Sequence, residues 1–235
     1  MRSAFAKGYG ATGSLMGLLL IISASAFAQG SPELRDNRVT INAGVMWLSG
    51  YDIGSATAEL RGNGTGVTPP SFTLFTADSH FARATAPELR VGWSLTPRLA
   101  LEGGVTLAHP RIGVGIAGDS EAASQELLGE ELEQYVFDAG LNWQLPIHIG
   151  RRLAPFVTGG AGYLRQLHED RTFAETGRIY YAGGGARYWL RGGHGGTRPV
   201  GLRGEFRMNM RRKGIDFEDK MRRYPTYSLF LFIGV

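Results

Sequence analysis

Between Tyr135 and Leu145 every second residue is apolar: Tyr135, Phe137, Ala139, Leu141, Trp143 and Leu145. The positions between them hold Val136, Asp138, Gly140, Asn142 and Gln144. Only an extended strand puts two such sets on opposite faces, because successive side chains of a strand alternate while those of a helix recur every three to four residues. The split recurs in Val200, Leu202, Gly204, Phe206, Met208 and Met210 against Arg203, Glu205, Arg207 and Asn209. Here four successive alternate positions carry a charge or an amide. This pattern, repeated along the chain, restricts the fold to a β-structure with two chemically opposed faces.

Eight segments carry the pattern, at Arg38 to Leu48, His80 to Leu95, Arg98 to His109, Glu133 to Leu145, Leu153 to Gln166, Arg178 to Leu190, Pro199 to Met210 and Arg223 to Val235. The second and third set Leu89, Val91, Trp93 and Leu95, then Leu99, Leu101, Val105 and Leu107, against Glu88, Arg90, Arg98 and Glu102, with Thr96-Pro97 as the turn between them. In the last, Tyr227, Leu229, Leu231, Ile233 and Val235 share one parity, and Thr226, Ser228, Phe230, Phe232 and Gly234 the other. Connections alternate in character. Thr96-Pro97, Pro146 to Arg152 and the glycine-rich Arg191 to Arg198 are short; Ser49 to Ser79, Pro110 to Leu132, Leu167 to Gly177 and Arg211 to Arg222 are mostly longer and more polar. Within the second long connection, Glu121 to Glu133 reads as a solvated acidic face, with a short helix as the alternative. An up-and-down antiparallel barrel of eight strands follows, with both chain ends on the side of the short turns.

The N-terminus has the form of an export signal, with Arg2 and Lys7, an apolar run from Leu15 to Ile22 and the small-residue site Ala26-Phe27-Ala28. Residues 1–28 are therefore expected to be removed, leaving 29–235 as one domain. The chain has no cysteine, so disulfides, thiolate chemistry and Cys-ligated zinc are excluded. A formal charge of +4, part of it in the signal, gives nucleic-acid binding no support. Glycine is abundant at 35 residues and aromatics reach 11%, a composition suited to a barrel whose strands each show one face to lipid.

A β-protein spans hydrocarbon only by closing its sheet, since an open edge leaves backbone groups unsatisfied. In that environment the apolar parity faces outward, and Trp47, Trp93, Trp143, Tyr163, Tyr188, Trp189, Tyr224 and Tyr227 are candidates for the two interfacial girdles. The opposite parity then fills the interior with Glu88, Arg90, Glu102, Asp138, Arg187, Arg203, Glu205 and Arg207. Four carboxylates face four guanidinium groups, and the expectation is an internal ion-pair network that leaves no buried charge uncompensated. Gly159, Gly160, Gly162 and Gly183 to Gly185 fit places where bulky interior side chains approach the wall.

The signal, the Ala154-Pro155-Phe156-Val157-Thr158-Gly159-Gly160-Ala161-Gly162-Tyr163 segment, the Gly184-Gly185-Ala186-Arg187-Tyr188-Trp189 segment and the final apolar strand resemble the small outer-membrane β-barrel family, the porin-like and OmpA- or OmpX-like eight-stranded proteins. The resemblance implies a bacterial outer-membrane location and a structural, adhesive or stress-related surface role. It also implies contact with outer-membrane lipids, lipopolysaccharide and the barrel-insertion machinery, a monomeric state and no cofactor. A few members modify lipid A enzymatically, which makes that a second reading; a soluble periplasmic lipocalin-like binder with an apolar interior is a third. His80, His109, His148, His168 and His194 show no metal-ligand spacing. His109 or His168 with Ser124 or Glu169 gives only a loose hydrolase set, and solvated loop residues are the preferred account. Arg211, Arg212, Lys213, Arg222 and Arg223 bracket the fourth long connection, where they pair either with Asp216, Glu218 and Asp219 or with lipopolysaccharide phosphates.

Overall fold

The computed structural model describes residues 38–61, 71–118, 125–147, 149, 152–168, 173–191, 198–216 and 220–235. The expected export signal at 1–28, the glycine-rich stretch 192–197 and His148, His194, Ser124 and Glu169 lie outside them. Among the described residues there are twelve strands: β1 (Val39–Leu48), β2 (Tyr51–Arg61), β3 (Ser71–Phe81), β4 (Ala84–Ser94), β5 (Leu99–Ala108), β6 (Arg111–Ala117), β7 (Gln125–Glu131), β8 (Glu133–Gln144), β9 (Leu153–Leu167), β10 (Ala174–Arg191), β11 (Val200–Lys213) and β12 (Arg222–Gly234).

Eight of them close an antiparallel barrel in the order β1-β12-β11-β10-β9-β8-β5-β4, with β1 sealing the cylinder by pairing to both β12 and β4. The fold is all-β and its barrel has eight strands. Register makes the alternation physical. Val45, Leu229, Leu202, Val91, Leu141 and Trp143 point outward with about half of their surface exposed, whereas Arg90, Glu102 and Arg203 point inward and are fully buried. An apolar exterior around an ionic interior is the reverse of a soluble domain, and it is also the reverse of a lipocalin-like binding barrel.

The remaining four strands form a second sheet, β2-β3-β6-β7. This corrects the sequence reading, which takes 49–79 and 110–132 as loops and begins the second barrel strand at His80. His80 and Phe81 belong to β3, the barrel strand starts at Ala84, and 125–131 is a strand where a solvated face or a short helix was expected. The four strands continue β1, β4, β5 and β8 beyond short breaks at 49–50, 82–83, 109–110 and 132, so the barrel wall carries on past its rim over half its circumference. At the first break a Cβ on Gly50 would lie 2.8 Å from the Phe81 carbonyl oxygen, so only glycine permits so close an approach. At the third, Pro110 has no N–H to give to a ladder, and its carbonyl accepts from the Leu132 N–H at 3.0 Å. Period-two alternation is faint in β2 and β3, whose residues beyond the rim are exposed or half-buried on both faces.

The short connections turn the chain tightly. Thr96 Oγ1 accepts from the Leu99 N–H at 3.0 Å, closing the Thr96-Pro97 turn with its own side chain.

Candidate functional site

The structure brings all eight of the inward charges named from the sequence into one connected chain across the lumen. Arg203 on β11 grips Glu102 on β5 with both terminal nitrogens, at 2.8 Å each, and reaches Glu205 at 2.6 and 2.9 Å. Arg187 from β10 shares Glu102 at 2.9 Å. Glu205 also binds Arg207, which continues to Glu88 at 3.1 Å. Glu88 lies 3.7 Å from Arg90, and Arg90 pairs with Asp138. Read in order, Arg187, Glu102, Arg203, Glu205, Arg207, Glu88, Arg90 and Asp138 alternate in sign without a break. Each charge inside the chain therefore has an opposite charge on either side, the condition under which buried ions offset their desolvation.

Neutral groups complete the shell, and the sequence reading did not name them. Tyr181 donates to Asp138 at 2.9 Å, and Ser228 donates to Glu88 at 2.8 Å. Aromatic faces lie under the guanidinium groups, with Phe156 4.6 Å from Arg203 and Tyr181 4.9 Å from Arg207. Room for Tyr181 comes from Gly140 and Gly160, neighbours across β8 and β9; a Cβ at Gly160 would fall 2.6 Å from the tyrosine oxygen. Parity was the available signal, since Tyr181 and Ser228 share the inward face with Arg187 and Thr226.

Two apolar layers bound this ionic middle. At the turn end Trp189 packs edge-on against Phe232, with ring centroids 6.3 Å apart, beside buried Ala154. At the loop end Tyr51, Ile53, Phe81, Leu132, Ile215 and Tyr224 form a buried cluster where the second sheet meets the barrel. Tyr51 stacks on Tyr224 at 4.3 Å, and Arg211 donates to the Tyr51 hydroxyl at 3.0 Å and to the Ile215 carbonyl at 2.6 Å. Burial pushes the Tyr51 phenol far above its usual range, and nearby Tyr224 adds to the shift. Between network and cap lies a cavity of about 20 Å³ bordered by Thr106, Gln134, Asp138, Arg207, Asn209 and Thr226, enough for about one water.

Trp189 and Tyr224 were expected in the outer girdles and are instead interior. Trp189 has the parity of Arg187, and Tyr224 that of Thr226, so each belongs to the inward face. The other six are exposed in two levels: Trp93, Trp143 and Tyr188 toward the turn end, and Trp47, Tyr163 and Tyr227 toward the loop end. The arginines around the fourth connection divide by the same rule. Arg211 and Arg222 turn inward to Asp216, at 3.8 and 2.9 Å, while Arg212 and Arg223 point out; Glu218 and Asp219 lie outside the described residues.

Among the described histidines, His168 contacts Glu130 at 2.9 Å and His80 contacts Glu126 at 3.5 Å. Both carboxylates belong to β7, so these pairs tie that strand to β3 and to the end of β9.

No family model matches the chain, and no curated protein does. Among solved structures it is similar to Neisserial surface protein A, at 12% identity and a TM-score of 0.48, covering 84% of this chain and 96% of that one. It is also similar to the outer membrane protein OprG from Pseudomonas aeruginosa, at 10% identity and a TM-score of 0.45, covering 84% and 95%. A third likeness is to Ail, the attachment invasion locus protein of Yersinia pestis, at 11% identity and a TM-score of 0.38, covering 85% and 99%. The molecule's own geometry settles its class: a closed eight-stranded antiparallel wall, apolar outside and ionic inside, is a β-barrel of the outer-membrane type.

Proposed function

We propose that the protein is a non-enzymatic surface barrel, anchored in the bacterial outer membrane with its loop end outward, whose working part is the sheet raised above the rim. One observation carries this reading. The lumen is occupied at three successive levels, by an apolar floor, an eight-charge chain and an aromatic cap, so the barrel serves as a rigid mount while contact with the surroundings falls to the projecting strands. Half of the wall rises into that sheet, which offers Leu60, Phe72 and Leu127 as exposed apolar side chains beside acidic β7. A structural, adhesive or surface-interaction role fits such a display.

Protease treatment of intact cells tests the orientation. Cleavage is expected in the β2–β3 and β6–β7 hairpins, leaving a membrane-embedded core that migrates differently before and after boiling. Protection of both hairpins in intact cells, with cleavage only after the envelope is opened, would reverse the assignment. In planar bilayers the purified protein should show no stable conductance; steady ohmic channels would contradict the filled lumen.

A further inference from the structure

Four arginines stand on the outer wall of four consecutive strands: Arg165 on β9, Arg178 on β10, Arg212 on β11 and Arg223 on β12. All four are exposed, and none has an ion pair or a side-chain hydrogen bond among the described residues. They form a level row. Arg178 is the direct register partner of Arg212. Arg165 opposes Thr176, two residues from Arg178, and Arg223 opposes Met210, two residues from Arg212. Register partners climb the wall of a staggered, tilted barrel from strand to strand, and these two diagonal steps bring the row back to one height.

That height is the loop-side edge of the apolar band. Tyr163 and Tyr180, each two residues nearer the middle of the wall than Arg165 and Arg178, are exposed aromatics of the kind that sit at a membrane interface. Like charges directly opposite one another destabilise a sheet, so the Arg178–Arg212 pair calls for an anion between them. Among the described residues no carboxylate forms an ion pair with any of the four. Glu133, at the β8 end of the row, takes a hydrogen bond from Tyr135 at 3.3 Å, and Glu175 has the opposite parity to Arg178. Exposed guanidinium groups at headgroup depth, in forks that match phosphate oxygens two at a time, suit a phosphorylated lipid with its chains lying along the apolar wall below.

We propose that Arg165, Arg178, Arg212 and Arg223 form a binding row for the phosphorylated headgroup of a lipid in the leaflet at the loop end. The inference rests on the membrane placement proposed above. It is tested on full-length protein purified in a zwitterionic detergent, with bisphosphorylated lipid A, its dephosphorylated counterpart and inorganic phosphate as separate probes. Lipid A is expected to raise the temperature at which the folded, fast-migrating form is lost and to bind in native mass spectra, while the other two probes do neither. In R178Q/R212Q that binding should weaken about tenfold or more, as the loss of two charge-assisted contacts implies. R98Q at the turn end should bind as the parent does.

Equal binding by parent and R178Q/R212Q, or an equal loss in R98Q, would overturn the row as a site. Stabilisation by inorganic phosphate alone would overturn the lipid as its occupant. Quenching of tryptophan fluorescence by brominated phosphatidylcholine, after reconstitution, separates the two levels of failure. Strong quenching with no lipid A effect rejects the row and leaves the membrane placement standing, whereas absent quenching rejects the placement itself.

Discussion

The middle of the barrel and the cap above it are both fully buried, yet they are held by different forces. In the middle, Arg203, Glu102 and Glu205 interlock through directional contacts whose removal strands a partner in a dry interior. In the cap, Ile53, Phe81 and Leu132 touch through unspecific apolar contact, where cost follows the volume deleted. The first arrangement fixes which strands face one another across the lumen; the second closes a gap and joins the raised sheet to the barrel.

The sharpest way to break the contrast is R203A, which leaves Glu102 and Glu205 short of their shared cation. A loss of about 3 to 5 kcal/mol is expected, read as a lower denaturant midpoint in lipid vesicles. The double variant E102Q/R203M should cost less than the sum of E102Q and R203M, because either single change already breaks the Arg203–Glu102 contact that the other would remove. If the double costs as much as the sum of the singles, the chain of charges does not act as a unit. F81A removes a comparable amount, about 3 to 5 kcal/mol, from the cap. Its effect should be local: faster proteolysis of β2, β3, β6 and β7 with the barrel's unfolding midpoint nearly unchanged. A barrel that melts together with the sheet would erase the distinction drawn here. Y181F, which takes one donor from Asp138 while Arg90 remains, should cost about 1.5 to 3 kcal/mol in the same vesicle assay. The smallest change is E131Q, which breaks the exposed Arg111–Glu131 pair at 2.8 Å and should shift sheet proteolysis by less than about 1 kcal/mol.

The same contrast explains what could be read from the sequence. Where lipid lies on one side and an ionic lumen on the other, each residue announces its face, and the register of Leu202 against Arg203 or Leu141 against Asn142 follows from parity alone. Parity also places Trp189 and Tyr224 inside, against the weight that their aromatic character gives to an interfacial position. What it lacks is any statement of depth or partner. Nothing in the spacing says that Arg187 ends the chain of charges at Glu102, or that Tyr181 reaches Asp138 through the space left by two glycines. The raised sheet was illegible for the opposite reason: β2 and β3 are rich in Ser, Thr, Ala and Gly and meet similar surroundings on both faces, so their alternation has little to record.

A cylinder has no border, but the sheet above it has two. Among the described residues β2 and β7 each pair with a strand on one side only, and apart from the Ile53 carbonyl, to which Arg222 donates at 2.9 Å, the backbone groups on the other side are open to a strand from another molecule. Asp52 and Glu59 on β2 and Glu126 and Glu130 on β7 put negative charge on those edge strands, while Arg111 offsets Glu131. A second copy of this chain would bring the same sign to the same place, and the two would repel before their backbones could pair.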